Sequence, residues 1–131
     1  MNLKGSKINF LGDSITEGHG TSATEKRFTD LVAQRYGAEC RNYGIGGTRI
    51  ALQHTPSAEP IWDQNFSSRV DGMNPDADAI VVFGGTNDFG HGDAPLGKME
   101  DRTADTFYGA LHVLFTSLIN KYPEAKIVMA T

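Results

Sequence analysis

Ile8-Asn9-Phe10-Leu11-Gly12-Asp13-Ser14-Ile15-Thr16-Glu17-Gly18 is a short apolar run that breaks into Gly-Asp-Ser close to the amino terminus. An apolar run of this length stopped by glycine reads as a strand, residues 7–11, and residues 13–20 read as the turn that leaves it. A strand that ends this way and turns toward a helix lifts the Ser14 hydroxyl to the rim of a sheet, where a nucleophile stands.

The pattern recurs twice further along the chain. Residues 39–43 form a weaker second strand, ended by Gly44-Ile45-Gly46-Gly47. Ala79-Ile80-Val81-Val82-Phe83 is a continuous β-rich apolar run closed by Gly84-Gly85, the pattern of a parallel strand covered on both faces. Between the first two strands, Thr24 reads as a helix N-cap, with Phe28, Leu31, Val32 and Tyr36 on one face and Gly37 closing the helix. Residues 51–61, with Pro56 and Pro60, read as an irregular connection, after which Trp62, Phe66, Arg69/Val70 and Met73 keep helical spacing up to Pro75. Residues 89–102 read as a long surface loop. Thr103 is the predicted cap of a last helix, whose apolar stripe is Phe107, Leu111, Leu114, Leu118 and Tyr122, and residues 126–130 begin a fourth strand. The βαβαβαβ alternation predicts a flavodoxin-like, three-layer α/β/α fold with a parallel sheet. Ligands bind such sheets beyond the carboxyl ends of the strands, where the three glycine-rich breaks lie.

Composition narrows the function. The 131 residues fit one domain, residues 1–131, and the net charge of −4 with no block of Lys or Arg argues against nucleic acid as a partner. No apolar run approaches the ~20 residues of a membrane span, and the amino end lacks a signal-peptide core, so no membrane association and a cytoplasmic location are expected. Cys40 is the single cysteine, which excludes an internal disulfide and a multi-cysteine zinc site. A phosphate loop would need Gly-Lys-Ser/Thr where this chain has Glu17-Gly18-His19, and Arg49 occupies the third glycine position of a dinucleotide fingerprint opened by Gly44-Ile45-Gly46. Gly-x-Ser-x-Gly is absent around Ser14. Glu17, His19, Asp88, His91 and Asp93 share no metal-ligand spacing, so neither a metal nor a cofactor is expected.

A serine that attacks an ester needs hydrogen-bond donors for the oxyanion and a base for its proton. Ser14 offers a backbone N–H where its turn opens, Gly46 and Gly47 let a backbone N–H approach substrate closely, and Asn87 supplies a side-chain amide. Each residue also has a plainer job: Ser14 as a helix N-cap, Gly46 and Gly47 in a tight turn, Asn87 in an Asx-turn. Together, however, the plainer jobs would require three coincidences at three strand ends.

Gly12-Asp13-Ser14, Asn42-Tyr43-Gly44-Ile45-Gly46-Gly47 and Gly85-Thr86-Asn87-Asp88 resemble, in order and spacing, the first three sequence blocks of the SGNH (GDSL) hydrolases. The resemblance runs from residue 8 to residue 130. It implies Ser14 as nucleophile, an oxyanion hole of the Ser14 and Gly47 N–H groups and the Asn87 amide, and supporting roles for Asp13, Asp88 and Gly46 in holding the loops. It also implies an esterase of the SGNH type, cleaving a small carboxylic ester or O-acetyl group, on a small molecule or a carbohydrate, through an acyl-enzyme. The family's fourth element, an Asp-x-x-His after the last strand, is not found in these residues. A last strand, a C-terminal helix, the base and its orienting Asp are therefore expected beyond Thr131, and the 131-residue chain alone is expected to be nearly inactive. Among the four histidines, His91 is the best substitute base, four residues past Asn87 with Asp93 near enough to orient it; otherwise it lines the substrate rim. His19, His54 and His112 are assigned no role, and Trp62 reads as core rather than as a sugar-stacking platform and is assigned no role either. The alternative function is a non-catalytic flavodoxin-like module that binds flavin or a phosphorylated ligand at the same rim.

Overall fold

The computed structural model describes residues 1–130. Four parallel strands, β1 (Lys7–Gly12), β2 (Glu39–Gly44), β3 (Ala79–Phe83) and β4 (Lys126–Ala130), form one sheet in the order β2-β1-β3-β4. The chain steps outward from β1 to β2 and then crosses to the other side of β1, so strand order reverses there, the place where a doubly wound sheet opens a crevice. The carboxyl ends are flush: Gly12 pairs in register with both Gly44 and Phe83, and Phe83 with Ala130. Three glycine-rich turns therefore leave the sheet side by side.

Alternation along the strands sends apolar side chains to both faces. Leu11, Ile80 and Val82 join Phe66, Leu114 and Leu118, all fully buried, on the face covered by helix α4 (Phe107–Lys121). Ile8, Phe10 and Ala79 face the other way, against Phe28 and Val32 of helix α2 (Phe28–Tyr36). Each large apolar side chain so buried contributes about 1.5–3 kcal/mol, which makes the larger cluster the main source of cohesion. Two short helices open at the strand ends, α1 (Ser14–Glu17) after β1 and α3 (Thr86–His91) after β3. The layered arrangement is the one the βαβ alternation predicts. On the α2 face, Val128 of β4 remains 50% exposed.

Several local expectations are corrected. The helix expected from Thr24 begins at Phe28, because Arg27 is extended (φ −62°, ψ 146°) and separates a 3-10 turn, Thr24–Lys26, from α2. Thr24 makes no cap, and Leu31 and Tyr36 lie outside the core at 49% and 46% exposure, while Thr29 takes the buried position. The helical spacing from Trp62 to Met73 belongs to two 3-10 segments, Pro60–Asp63 and Phe66–Gly72, divided at extended Asn65. Phe66, Val70 and Met73 are buried as their spacing implies, but the break leaves Trp62 off that face. Residues 89–91 are helical rather than loop, and α4 is capped by Thr106, whose hydroxyl accepts from the Gly109 N–H at 3.1 Å, not by Thr103. The 13–20 stretch holds one helical turn, α1, ended by left-handed Gly18.

Candidate active site

Ser14 is the first residue of α1, half-buried at the end of β1. The residue before it, Asp13, is buried, and its carboxylate accepts the Ile15 N–H at 2.9 Å, fixing the turn that presents Ser14. Burial pushes the Asp13 carboxyl up from its ordinary value; the Ile15 and Asp13 N–H groups and the Arg69 charge pull it partly back. Ser14 is thus a capped first-turn residue whose cap is Asp13, so its own hydroxyl is not used to start the helix.

The second turn comes within reach of the first. A Cβ added at Gly46 would stand 3.6 Å from the Ser14 Cβ, and the Gly46 N–H donates to Glu17 Oε2 at 2.6 Å. Gly47 follows with φ +77°, the left-handed region that glycine tolerates, and its face is covered by the Trp62 indole: a Cβ there would lie 2.3 Å from Trp62 Cδ1. Neither the Ser14 N–H nor the Gly47 N–H meets an acceptor among the described residues. The Gly46 amide is therefore engaged while the Gly47 amide is available.

Asn87, on α3, donates through Nδ2 to the Thr48 carbonyl at 2.9 Å. One amide proton anchors the side chain beside Gly47 and leaves the other for a ligand. Next to it, the Asp88 carboxylate accepts the Ile50 and Ala51 N–H groups, each at 2.9 Å, and burial raises this carboxyl as it does Asp13, with those two N–H groups offsetting part of the effect. Beneath the turns lies Arg69, donating to the Tyr43 carbonyl at 2.9 Å and to the Gly12 carbonyl and the Thr48 hydroxyl at 3.1 Å. Burial lowers its pKa to about 10. One guanidinium thus ties the ends of β1 and β2 to the turn that carries Gly47.

Of the residues expected at the site, Ser14, Gly46, Gly47 and Asn87 stand at the three adjoining turns, with Asp13 and Asp88 bracing them. The pairing of His91 with Asp93 does not form: the Asp93 carboxylate accepts the His54 and Thr55 N–H groups, each at 2.7 Å, and His91 Nδ1 faces Arg49 Nη2 at 3.2 Å. His54 Nε2 meets the Asp105 carbonyl at 2.8 Å, and His19 and His112 are exposed. Trp62, expected in the core, lies instead against Gly47 and His91, 37% exposed. Arg49, Arg69, Thr48 and Glu17 had no role at the site in the sequence reading; the one signal for the arginines was their placement among residues otherwise read as loop or apolar helix.

Asn87 and His91 share one face of α3, and Gly85, Asp88, Phe89 and Gly92 line a cavity of about 320 Å³ with Arg49, Ala94 and Phe107. Among the described residues, no three His, Cys, Asp or Glu side chains gather to hold a metal, and no helix is long and apolar enough to cross a membrane.

Comparison with known proteins gives the family and the fold. Residues 10–131 match the sequence model of the GDSL-like lipase/acylhydrolase family. A solved Lactobacillus plantarum protein is 33% identical, with a TM-score of 0.79 over 97% of this chain and 56% of that one. This chain thus spans little more than half the length of that relative. A structure from Bacteroides uniformis described as a GDSL-like lipase shares the fold at 24% identity and a TM-score of 0.83, over 97% of this chain and 71% of that one. A family two carbohydrate esterase from Clostridium thermocellum, solved with cellohexaose, shares it at 21% identity and a TM-score of 0.66, over 98% of this chain and 43% of that one. No curated protein matches the chain.

Proposed function

The chain belongs to the GDSL-like lipase/acylhydrolase family, and on that premise we propose that these residues form the nucleophile and oxyanion half of a serine ester hydrolase domain. In this reading the Ser14 Oγ attacks the acyl carbonyl. The resulting oxyanion is received by the Ser14 N–H, the Gly47 N–H and the free proton of the Asn87 amide. Collapse of the tetrahedral species expels the alcohol and leaves the acyl group on Ser14, for water to remove. The observation that carries the reading is the anchoring of Asn87 on the Thr48 carbonyl at 2.9 Å, which holds its amide one residue from Gly47, in a turn where a Cβ added at Gly46 would stand 3.6 Å from that of Ser14.

The base is the remaining requirement. Among the described residues no histidine is hydrogen-bonded to the Ser14 hydroxyl, and the best substitute, His91, accepts from Arg49 without an orienting carboxylate. We assign the base and its orienting acid to residues outside the 131, which makes these residues alone a poor catalyst. The proposed substrates are small carboxylic esters and O-acetyl groups, including those on carbohydrates, a class supported by the fold shared with the carbohydrate esterase. Covalent labelling of the intact protein by a fluorophosphonate tests the assignment. Labelling is expected at Ser14 and absent in Ser14→Ala; a label that survives the substitution sinks it.

A further inference from the structure

Arg49 is 3% exposed although it carries a full charge. Its Nη1 donates to the Trp62 carbonyl at 3.2 Å and to Asp63 Oδ1 at 3.3 Å, and its Nη2 to Ser57 Oγ at 2.8 Å. The same Nη2 stands 3.2 Å from His91 Nδ1. A guanidinium has donors only and stays protonated, so Nδ1 must be the acceptor, and the ring proton belongs on Nε2. A histidine that merely sat in solvent would not need a buried, fourfold-tied arginine to choose its tautomer.

His91 is also placed. Its ring tilts against Trp62 with centroids 5.9 Å apart and an interplanar angle of 54°, and the indole in turn covers Gly47. Gly47, the partly exposed Trp62 indole and the exposed His91 ring therefore adjoin in that order and make one wall. An alkyl alcohol laid along this wall would desolvate the Nε2–H and give it nothing to bond. A ring with an apolar face and oxygens around its edge satisfies both halves of the wall, the face on the indole and an oxygen on the N–H.

We propose that Trp62 and His91 form the alcohol-side subsite of the ester site and take a sugar ring, with His91 Nε2–H donating to a sugar oxygen. Arg49 is a positioning residue that acts by fixing the tautomer of His91. The assignment rests on the reading of Ser14, Gly47 and Asn87 as the ester site, and it names which half of the substrate lies on this side.

The test is nuclear magnetic resonance on the intact protein carrying Ser14→Ala, so that the probe is not turned over, with methyl 6-O-acetyl-β-D-glucopyranoside as the probe. Two-bond proton–nitrogen spectra should show His91 with its proton on Nε2. Titration should move the Trp62 indole N–H and the His91 ring together with the Gly47 and Asn87 amides. His91→Ala should weaken the probe about tenfold, the loss of one well-made hydrogen bond, and His91→Gln, whose amide restores a donor, should stay within about threefold of the parent chain. A proton on Nδ1, or equal affinity in His91→Ala and the parent chain, overturns the subsite. Shifts at Gly47 and Asn87 with Trp62 and His91 silent also overturn it, while the ester site stands; no shift at any of these positions overturns both.

Discussion

The Asn87 side-chain amide donates to the Thr48 carbonyl across 39 positions of sequence, at 2.9 Å. The bond joins the turn after β3 to the turn after β2 and leaves the second amide proton free for a ligand. In the intact protein, Asn87→Ala should therefore lower kcat by about 10²–10³ while changing KM little, since an oxyanion donor acts mainly in the transition state. Steady-state rates on p-nitrophenyl acetate measure this. A kcat within threefold of the parent would remove Asn87 from the oxyanion hole.

Gly47 combines a left-handed backbone, φ +77°, with an indole lying where a side chain would be. Gly47→Ala should lose stability for both reasons, about 1–2 kcal/mol from the backbone alone and more from the contact with Trp62. The two parts separate in a double mutant. Gly47→Ala made in a Trp62→Ala background should cost only the backbone share. Urea midpoints of the four proteins complete the cycle, and an equal cost in both backgrounds would show that the indole yields freely.

The strands and their glycine ends were legible because a parallel strand buried on both faces must be apolar and must stop where the chain turns: Ile80 and Val82 are fully buried, and Gly12, Gly44 and Phe83 end in register. What escaped was set by geometry that spacing does not encode. Trp62 and Phe66 stand four residues apart, as on a helix, yet extended Asn65 turns them to different places, one to the rim and one to the core. Arg69 reaches the Gly12 carbonyl from 57 positions away, a contact invisible to any local pattern. The donor residues could be proposed from the chain; the arginines that position their turns required the fold.

Acid titration should separate two carboxylates with opposite signs. Asp88 is raised above its ordinary value of 3.8 by burial, so the folded chain binds its proton more readily than the unfolded chain, and its ionisation costs stability as pH climbs from about 4 through the folded pKa. Asp93 is lowered from 3.8, chiefly by the His54 N–H and further by Thr55, so it contributes stability that is complete above that value and lost as pH falls through the folded pKa. Urea midpoints between pH 3 and pH 7 in Asp88→Asn and Asp93→Asn measure both. Asp93→Asn should flatten the loss on the acid side. Asp88→Asn should remove the decline above about pH 4 but lower stability throughout, by about 1–3 kcal/mol, because an amide accepts only one of the two N–H groups the carboxylate serves. Matching pH slopes in the two variants would contradict these assignments.

Arg69 ties the turns of the site together. Its donors meet two main-chain carbonyls and one hydroxyl from three separate segments, and its guanidinium lies 4.9 Å over the Phe66 ring, which is itself fully buried. Arg69→Met keeps much of the contact with Phe66 but leaves the Gly12 and Tyr43 carbonyls without that donor and the buried Asp13 carboxylate without its nearby positive charge. The expected cost is about 2–4 kcal/mol, a large share of the stability of a domain this size. Arg69→Lys restores the charge but not the planar fork, so it should recover only part of the loss. Adding Asp13→Asn to Arg69→Met should recover another part by removing the stranded charge, since the asparagine oxygen still accepts the Ile15 N–H. Equal stability in Arg69→Lys and the parent chain would reduce the residue to a point charge. Recovery of stability in the double mutant, with the Gly47 amide resonance away from its position in the parent chain, would show that the charge and the three-way tie are separate contributions, and that the tie is what fixes the turn carrying Gly47.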